Sequence, residues 1–195
     1  LDWLAQVCGK LMLLTLPVWT TLSERIAYEN AWIRVREDRF VGPDGKTGIY
    51  GVVEIRPSVG MVALNENREI VLVGQYRYTL KRHTWEIPRG GSAVGETDML
   101  AVAKRELREE TGVEAASWKS LGTVDVCNGV TNDIQHLYFA EGLKVFEPEP
   151  DLEEELTVRW VSFEQAVRMA LEGEITEVCS VAAILKVELA IRSGK

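Results

Sequence analysis

A glycine-rich loop that runs straight into a short amphipathic helix with three glutamates on one arc constrains this chain more than any other feature. Residues 90–113 read GGSAVGETDMLAVAKRELREETGV. Leu100, Ala103 and Leu107 recur at helical spacing as a buried stripe. They predict a helix from Thr97 or Asp98 to Thr111; either residue can cap its start, and Gly112 can end it. Glu106, Glu109 and Glu110 then stand at i, i+3 and i+4, side by side next to that stripe. Like charges so placed repel by about 0.2–0.5 kcal/mol per pair. Acidic groups near a helix C-terminus are also opposed by the macrodipole. A merely solvated acidic helix end therefore lacks a stabilising reason. A hard divalent cation reverses the repulsion, and Mg²⁺ takes oxygen ligands of this kind. Such an ion is useful where the substrate carries phosphates. Glu106 and Glu110 are the leading ligand candidates, with Glu109 third.

The chain has 195 residues, 46% hydrophobic and 27% charged, an ordinary balance for one globular domain or one domain with an arm. Its net charge of −8 argues against nucleic acid as a partner, since no basic surface is available to hold it. An anionic small molecule must then be attracted by bound cations and local arginines. Cys8, Cys127 and Cys179 are odd in number and irregular in spacing, which predicts neither a disulfide framework nor a zinc site and suits a reducing cytoplasm. With only His83 and His136, a histidine-rich metal site is not expected. The first sixteen residues are apolar but broken by Asp2, Gln6 and Lys10. They are too short for a membrane span and lack the basic start and cleavage site of a signal peptide, so no membrane partner is expected.

Along the chain, residues 32–40 partly alternate, Gly42-Pro43-Asp44-Gly45 signals a turn, and residues 48–56 return as a second strand of a hairpin. Strands follow at Gly60–Leu64 and Glu69–Tyr76; the apolar run Ile70–Val73 suits a buried central strand. A short strand, Thr84–Ile87, stops at Pro88. Beyond the helix, residues 119–126, 134–140 and 156–161 read as strands, Phe146–Glu155 as an acidic, proline-containing loop, and Phe163–Leu171 and Thr176–Arg192 as helices. Mixed strands with helices on both faces predict an α/β/α sandwich. The expected organisation is an arm over 1–27 and one domain over 28–195, with a hairpin at 30–57 and closing helices within 163–192. Arg105 suits a bidentate pair that orients a carboxylate. Arg77, just past the central strand, could hold a phosphate or sit in a surface ion pair. Glu86 could hydrogen-bond the substrate or a water on a metal, while its neighbour Trp85 is expected to pack in the core.

The run Arg105–Val113 resembles the second half of the Nudix box, G-x5-E-x7-R-E-U-x-E-E-x-G-U, at nine consecutive positions. The first half departs from it. Counting back from Arg105 puts Thr97 where the box has glutamate, with Gly91 as the first glycine. Starting from Gly90 recovers Glu96 but leaves one extra residue before Arg105. In that family the early glutamate mainly supports the loop. Asn30–Val35, Pro43–Thr47, Gln75–Arg77 with Trp85–Pro88, and Glu172–Thr176 resemble the ADP-ribose pyrophosphatase branch, so the likeness spans roughly residues 28–192. The proline that members acting on ADP-ribose often carry after the box is replaced by Asn128-Gly129, a turn pair that tolerates positive φ.

The resemblance implies a Nudix-type α/β/α sandwich with a mixed β-sheet and an N-terminal β-hairpin arm. It implies hydrolysis, dependent on Mg²⁺ or Mn²⁺, of the pyrophosphate bond in a nucleoside diphosphate linked to another group. ADP-ribose, giving AMP and ribose 5-phosphate, comes first. The Gly90 carbonyl becomes a further metal ligand. The general base comes from the loop Asp151–Glu155, with Glu154 first and Glu153 second, or else from a helix glutamate. Trp32 and Tyr50 match positions that sandwich adenine in relatives, sometimes across a homodimer. Either could instead pack the hairpin. The alternatives are another nucleotide sugar such as GDP-mannose, or a nucleotide-sensing module on the same fold without turnover. A dinucleoside polyphosphate hydrolase fits the flanking segments less well, and an isomerase lacks the extra acid and base groups it would need.

Overall fold

The protein is described from a computed structural model that covers residues 18–147 and 156–194. It divides into two compact units, one ending at Glu54 and one beginning at Ile55. The first is a three-stranded antiparallel sheet, β1 (Thr20–Glu29), β2 (Arg34–Val41) and β3 (Thr47–Glu54), in that order. The expected hairpin is β2–β3. Its turn closes with the Gly42 amide donating to the Lys46 carbonyl at 2.8 Å and Gly45 at φ +76°. Phe40 lies across the strand partner Gly48, where a Cβ would fall 2.5 Å from the ring. No strand is predicted from the sequence over β1. Its two register shifts, at Thr21/Ser23 and Ile26/Tyr28, break the alternation that would reveal it.

The second unit holds the expected layered core. One sheet has the order β10 (Thr157–Ser162), β5 (Glu69–Arg77), β6 (Arg82–Glu86). The other has β7 (Arg89–Gly91), β4 (Ser58–Ala63), β9 (Ile134–Val145), β8 (Val113–Asp125). β4 and β9 run parallel and the remaining pairs antiparallel, which makes the sheet mixed. Both central strands are apolar on both faces, as a strand covered on both sides must be. On β4 and β5, Met61, Ala63 and Val71 face one layer, and Val62, Ile70 and Leu72 face the other. The first layer is closed by helix α1 (Met99–Thr111) and the second by α2 (Phe163–Glu172) and α3 (Val178–Arg192). Strands β8 and β9 extend beyond the predicted 119–126 and 134–140. Much of their added length is exposed, so it carries no apolar alternation to read.

Helix α1 starts and stops where local chemistry directs. Asp98 is the cap, accepting the Leu100 and Ala101 amides at 3.1 Å each, and Gly112 closes the helix at φ +70° with its amide on the Arg108 carbonyl. The buried face is Met99, Val102, Ala103 and Leu107 rather than a stripe through Leu100, which is only half-buried. Glu110 continues the line from Ala103 and Leu107 at helical spacing and is itself buried. No helix among the described residues is long and apolar enough to cross a membrane.

Leu107 is fully buried between α1 and the sheet. Leu107→Ala should cost about 2–5 kcal/mol of unfolding free energy. Urea titration of both proteins reads the difference.

Candidate active site

The α1 carboxylates meet the strand that carries the glycines. β7 pairs with β4, with Gly90 opposite Val59 and Gly91 opposite Ser58. Gly90 lies so close to α1 that a Cβ on it would stand 2.1 Å from the Glu106 carboxylate. Only glycine permits that approach. Next door, the Arg89 backbone amide donates to Glu110 Oε2 at 2.9 Å. The helix therefore presents Glu106 and Glu110 to the backbone of residues 89–90.

Arg105 gathers the outer carboxylates. Its Nη1 is shared by Glu106 Oε1 at 2.8 Å and Glu109 Oε2 at 3.0 Å, and its Nη2 reaches Glu96 at 3.4 Å and the Gly91 carbonyl at 3.5 Å. This is a hub for three acids, not the bidentate grip on one that the sequence suggests. Burial would lower the Arg105 pKa, but Glu106, Glu109 and Glu96 together hold it above its usual value. Glu96 also accepts the Ala93 amide at 2.6 Å. It thereby takes the loop-supporting role that the two box alignments left between Glu96 and Thr97.

Glu86 and Arg77 form the inner wall. Arg77 donates Nε and Nη2 to the two oxygens of Glu86 at 2.9 and 2.5 Å, Thr84 adds its hydroxyl at 2.7 Å, and Arg89 Nη1 stands 3.6 Å away. Glu86 is 3% exposed. Its oxygens thus face a ring of protein donors. Burial pushes the Glu86 carboxyl up, but the Arg77 and Thr84 hydrogen bonds outweigh it and hold the pKa below the ordinary value. The Glu86 hydrogen bond in turn raises Arg77. Arg77, Glu86, Arg89, Glu110 and Gln75 line a small cleft. Trp85 packs at the edge of the core, with its ring over Gly74 and Arg159 5.5 Å above it, as expected.

The remaining site candidates lie elsewhere. Glu153 and Glu154 fall outside the described residues. Trp32 and Tyr50 both belong to the N-terminal unit and are exposed, but that unit does not bring them together. Trp32 precedes the Arg34↔Glu54 pair, and Tyr50 pairs with Asp38 further along the sheet. Tyr50 instead lines an open hollow of about 360 Å³ with Trp19, Thr21, Asp38 and Phe40. Cys179 is buried, which pushes its thiol up to about 12, an unreactive state. Arg89 and Glu177, which join this network at 3.2 Å, carry no sequence signal. Glutamate is not a preferred helix cap, and Arg89 lies outside the box.

Comparison with known proteins places this architecture. Residues 54–179 match the NUDIX domain family, and residues 19–53 match the nucleoside diphosphate sugar hydrolase N-terminal domain, a division that falls beside the boundary between the two units. The chain belongs to the Nudix hydrolases, enzymes that cleave a nucleoside diphosphate linked to another moiety. An ADP-ribose pyrophosphatase of Mycobacterium tuberculosis is 35% identical over 89% of this chain and 84% of its own length. One from Bacillus subtilis is 30% identical over 75% and 80%, and a methanol dehydrogenase activator of Bacillus methanolicus is 29% identical over 87% and 92%. A solved ADP compounds hydrolase superposes with a TM-score of 0.80 at 18% identity, covering 90% of this chain and 95% of that one, a likeness of fold.

Nudix hydrolases generally use a divalent metal, and the residues present here fit one. At Gly90 the Glu106 carboxylate lies where a Cβ would otherwise stand, and Glu106, Glu109 and Glu110 supply hard carboxylate oxygens on neighbouring turns of one helix. Among the described residues, no three acidic, histidine or cysteine side chains already converge on one point. Arg105 draws Glu106 and Glu109 together, and Glu110 turns to the Arg89 amide.

The depressed Glu86 pKa sets a sign for acid stability. A carboxyl lowered on folding contributes in full above its ordinary value of 4.5, and the contribution is lost as pH falls through the lower folded value. The urea midpoint of Glu86→Gln should lie below wild type at neutral pH, and the gap should narrow below pH 4.5.

Proposed function

We propose that this enzyme hydrolyses ADP-ribose to AMP and ribose 5-phosphate with Mg²⁺ as its ion and Mn²⁺ as a substitute. The approach of Gly90 to Glu106 carries the metal reading, and the two ADP-ribose pyrophosphatases at 35% and 30% identity support the substrate. Glu106 and Glu110 are the principal ligands, Glu109 the third, and the Gly90 carbonyl a further one. When bound, the ion neutralises charge on the diphosphate and polarises a phosphoryl oxygen. Arg105 keeps Glu106 and Glu109 together before the ion arrives, while the Arg89 amide holds Glu110. Without such a counter-charge, their mutual repulsion would splay them. Arg77, held rigid by the buried Glu86, presents a guanidinium at the cleft for a phosphate oxygen, which it can meet through paired donors. Glu86 then acts by positioning Arg77.

The base is Glu154, with Glu153 as its alternative, on the acidic loop before β10. Proton removal from the attacking water is the step it serves. Trp32 and Tyr50 offer aromatic faces to the adenine. Their separation within one N-terminal unit favours a site completed by a second copy, hence a homodimer. A cytoplasmic location accords with the buried, unreactive thiol of Cys179. GDP-mannose is the rival substrate, since it would use the same metal ligands and differ in base recognition.

Glu110→Gln should abolish Mg²⁺-dependent release of AMP while the far-ultraviolet spectrum stays unchanged. Turnover close to wild type would refute the ligand assignment. Glu154→Gln should lower kcat by about 10²-fold or more, and a loss confined to Glu153→Gln would move the base by one residue. A panel of nucleotide sugars with product analysis decides between ADP-ribose and GDP-mannose.

A further inference from the structure

The short segment between β6 and β7 is tied twice to the first turn of α3. The Ile87 amide donates to Ser180 Oγ at 3.1 Å. Two residues on, Arg89 Nη1 reaches Glu177 Oε1 at 3.2 Å. Glu177 is the cap of α3. Its carboxylate accepts the Cys179 amide at 3.0 Å, the Ser180 amide at 2.7 Å and the Ser180 hydroxyl at 2.7 Å. It is therefore fixed by the helix before it meets Arg89. Both partners are largely shielded, with side chains 24% and 13% exposed. Between the two ties stands Pro88, whose ring fixes φ and whose carbonyl accepts the Met61 amide at 3.1 Å. The Arg89 amide then holds Glu110, and Gly90 follows at once.

We infer that Glu177 and Arg89 are positioning residues of the metal centre. Through their ion pair, the N-terminus of the closing helix sets the main chain of residues 89–90 against Glu106 and Glu110. The pair acts through the Arg89 amide on Glu110 and through the place of the Gly90 carbonyl. Partners of this kind orient ligands they do not replace, and their loss typically costs about 10–100-fold in metal affinity. The inference rests on the ligand roles proposed above for Glu110 and Gly90.

Mn²⁺ titration of the full chain, followed by electron paramagnetic resonance without substrate, tests it. Glu177→Ser keeps a competent helix cap but cannot reach Arg89. Arg89→Met keeps the backbone amide but removes the charge. Each should weaken Mn²⁺ by about tenfold. The activation constant for the metal should rise by a similar factor. The double variant should lose no more than Arg89→Met alone, because Glu177 acts only through Arg89. Wild-type Mn²⁺ affinity in Arg89→Met, or losses that add fully in the double variant, would overturn the inference. Should Glu177→Ser fail to fold, Arg89→Met, which leaves the cap in place, carries the test alone. Glu110→Gln in parallel separates the two readings. If it too binds Mn²⁺ normally, the ligand assignment falls and takes this inference with it. If it loses Mn²⁺ while Arg89→Met does not, only the positioning role falls.

Discussion

The close approach between the β7 backbone and the carboxylate row of α1 is the constraint on which the site depends. It requires a residue without Cβ at position 90, because any side chain would occupy the space of the Glu106 carboxylate. It requires α1 to present its last two turns to the sheet, which the buried line Ala103, Leu107, Glu110 enforces. It also requires β7 to be held from behind, which its pairing with β4 and the Pro88 carbonyl bond to Met61 provide. The apolar layers thus do more than stabilise the fold, since they set the distance between a glycine backbone and an acidic helix.

Electrostatics follows from that distance. A chain with a net charge of −8 builds a site for an anion, and it does so by spending arginines locally. Arg105 serves the outer acids Glu96, Glu106 and Glu109, while Arg77 and Arg89 serve the inner acid Glu86. Buried acids left alone would be neutral or costly. With its partners Glu86 remains charged, as its lowered pKa reflects. The same pairing holds Arg77 still at the mouth of the cleft.

Much of this was legible in the sequence because the chemistry there is local. Asp98, Gly112 and the glutamate spacing follow from the rules of a single helix, and the run Ile70–Val73 announces a central strand by composition alone. What escaped is non-local or irregular. β1 carries two register shifts that scramble its period, and much of the added length of β8 and β9 is exposed. Leu100 and Val102 are equally apolar, and only the sheet decides which of them turns inward. Glu177 lies 88 residues from Arg89 in the chain and matches no cap preference, so only the folded arrangement reveals their pairing. Glu96 stands one place before the position counted back from Arg105, and only the folded loop shows that it accepts the Ala93 amide.

The most direct measurement is calorimetric titration of Gly90→Ala with Mg²⁺ or Mn²⁺, beside wild type. The Gly90 backbone is not in the left-handed region, and the group an added methyl would strike is the far end of a flexible side chain. The variant should therefore fold, with Glu106 pushed out of the cradle. An intact thermal transition is expected, with metal binding weaker by about tenfold or more and a matching loss of hydrolysis. Wild-type metal affinity in a folded Gly90→Ala protein would contradict it.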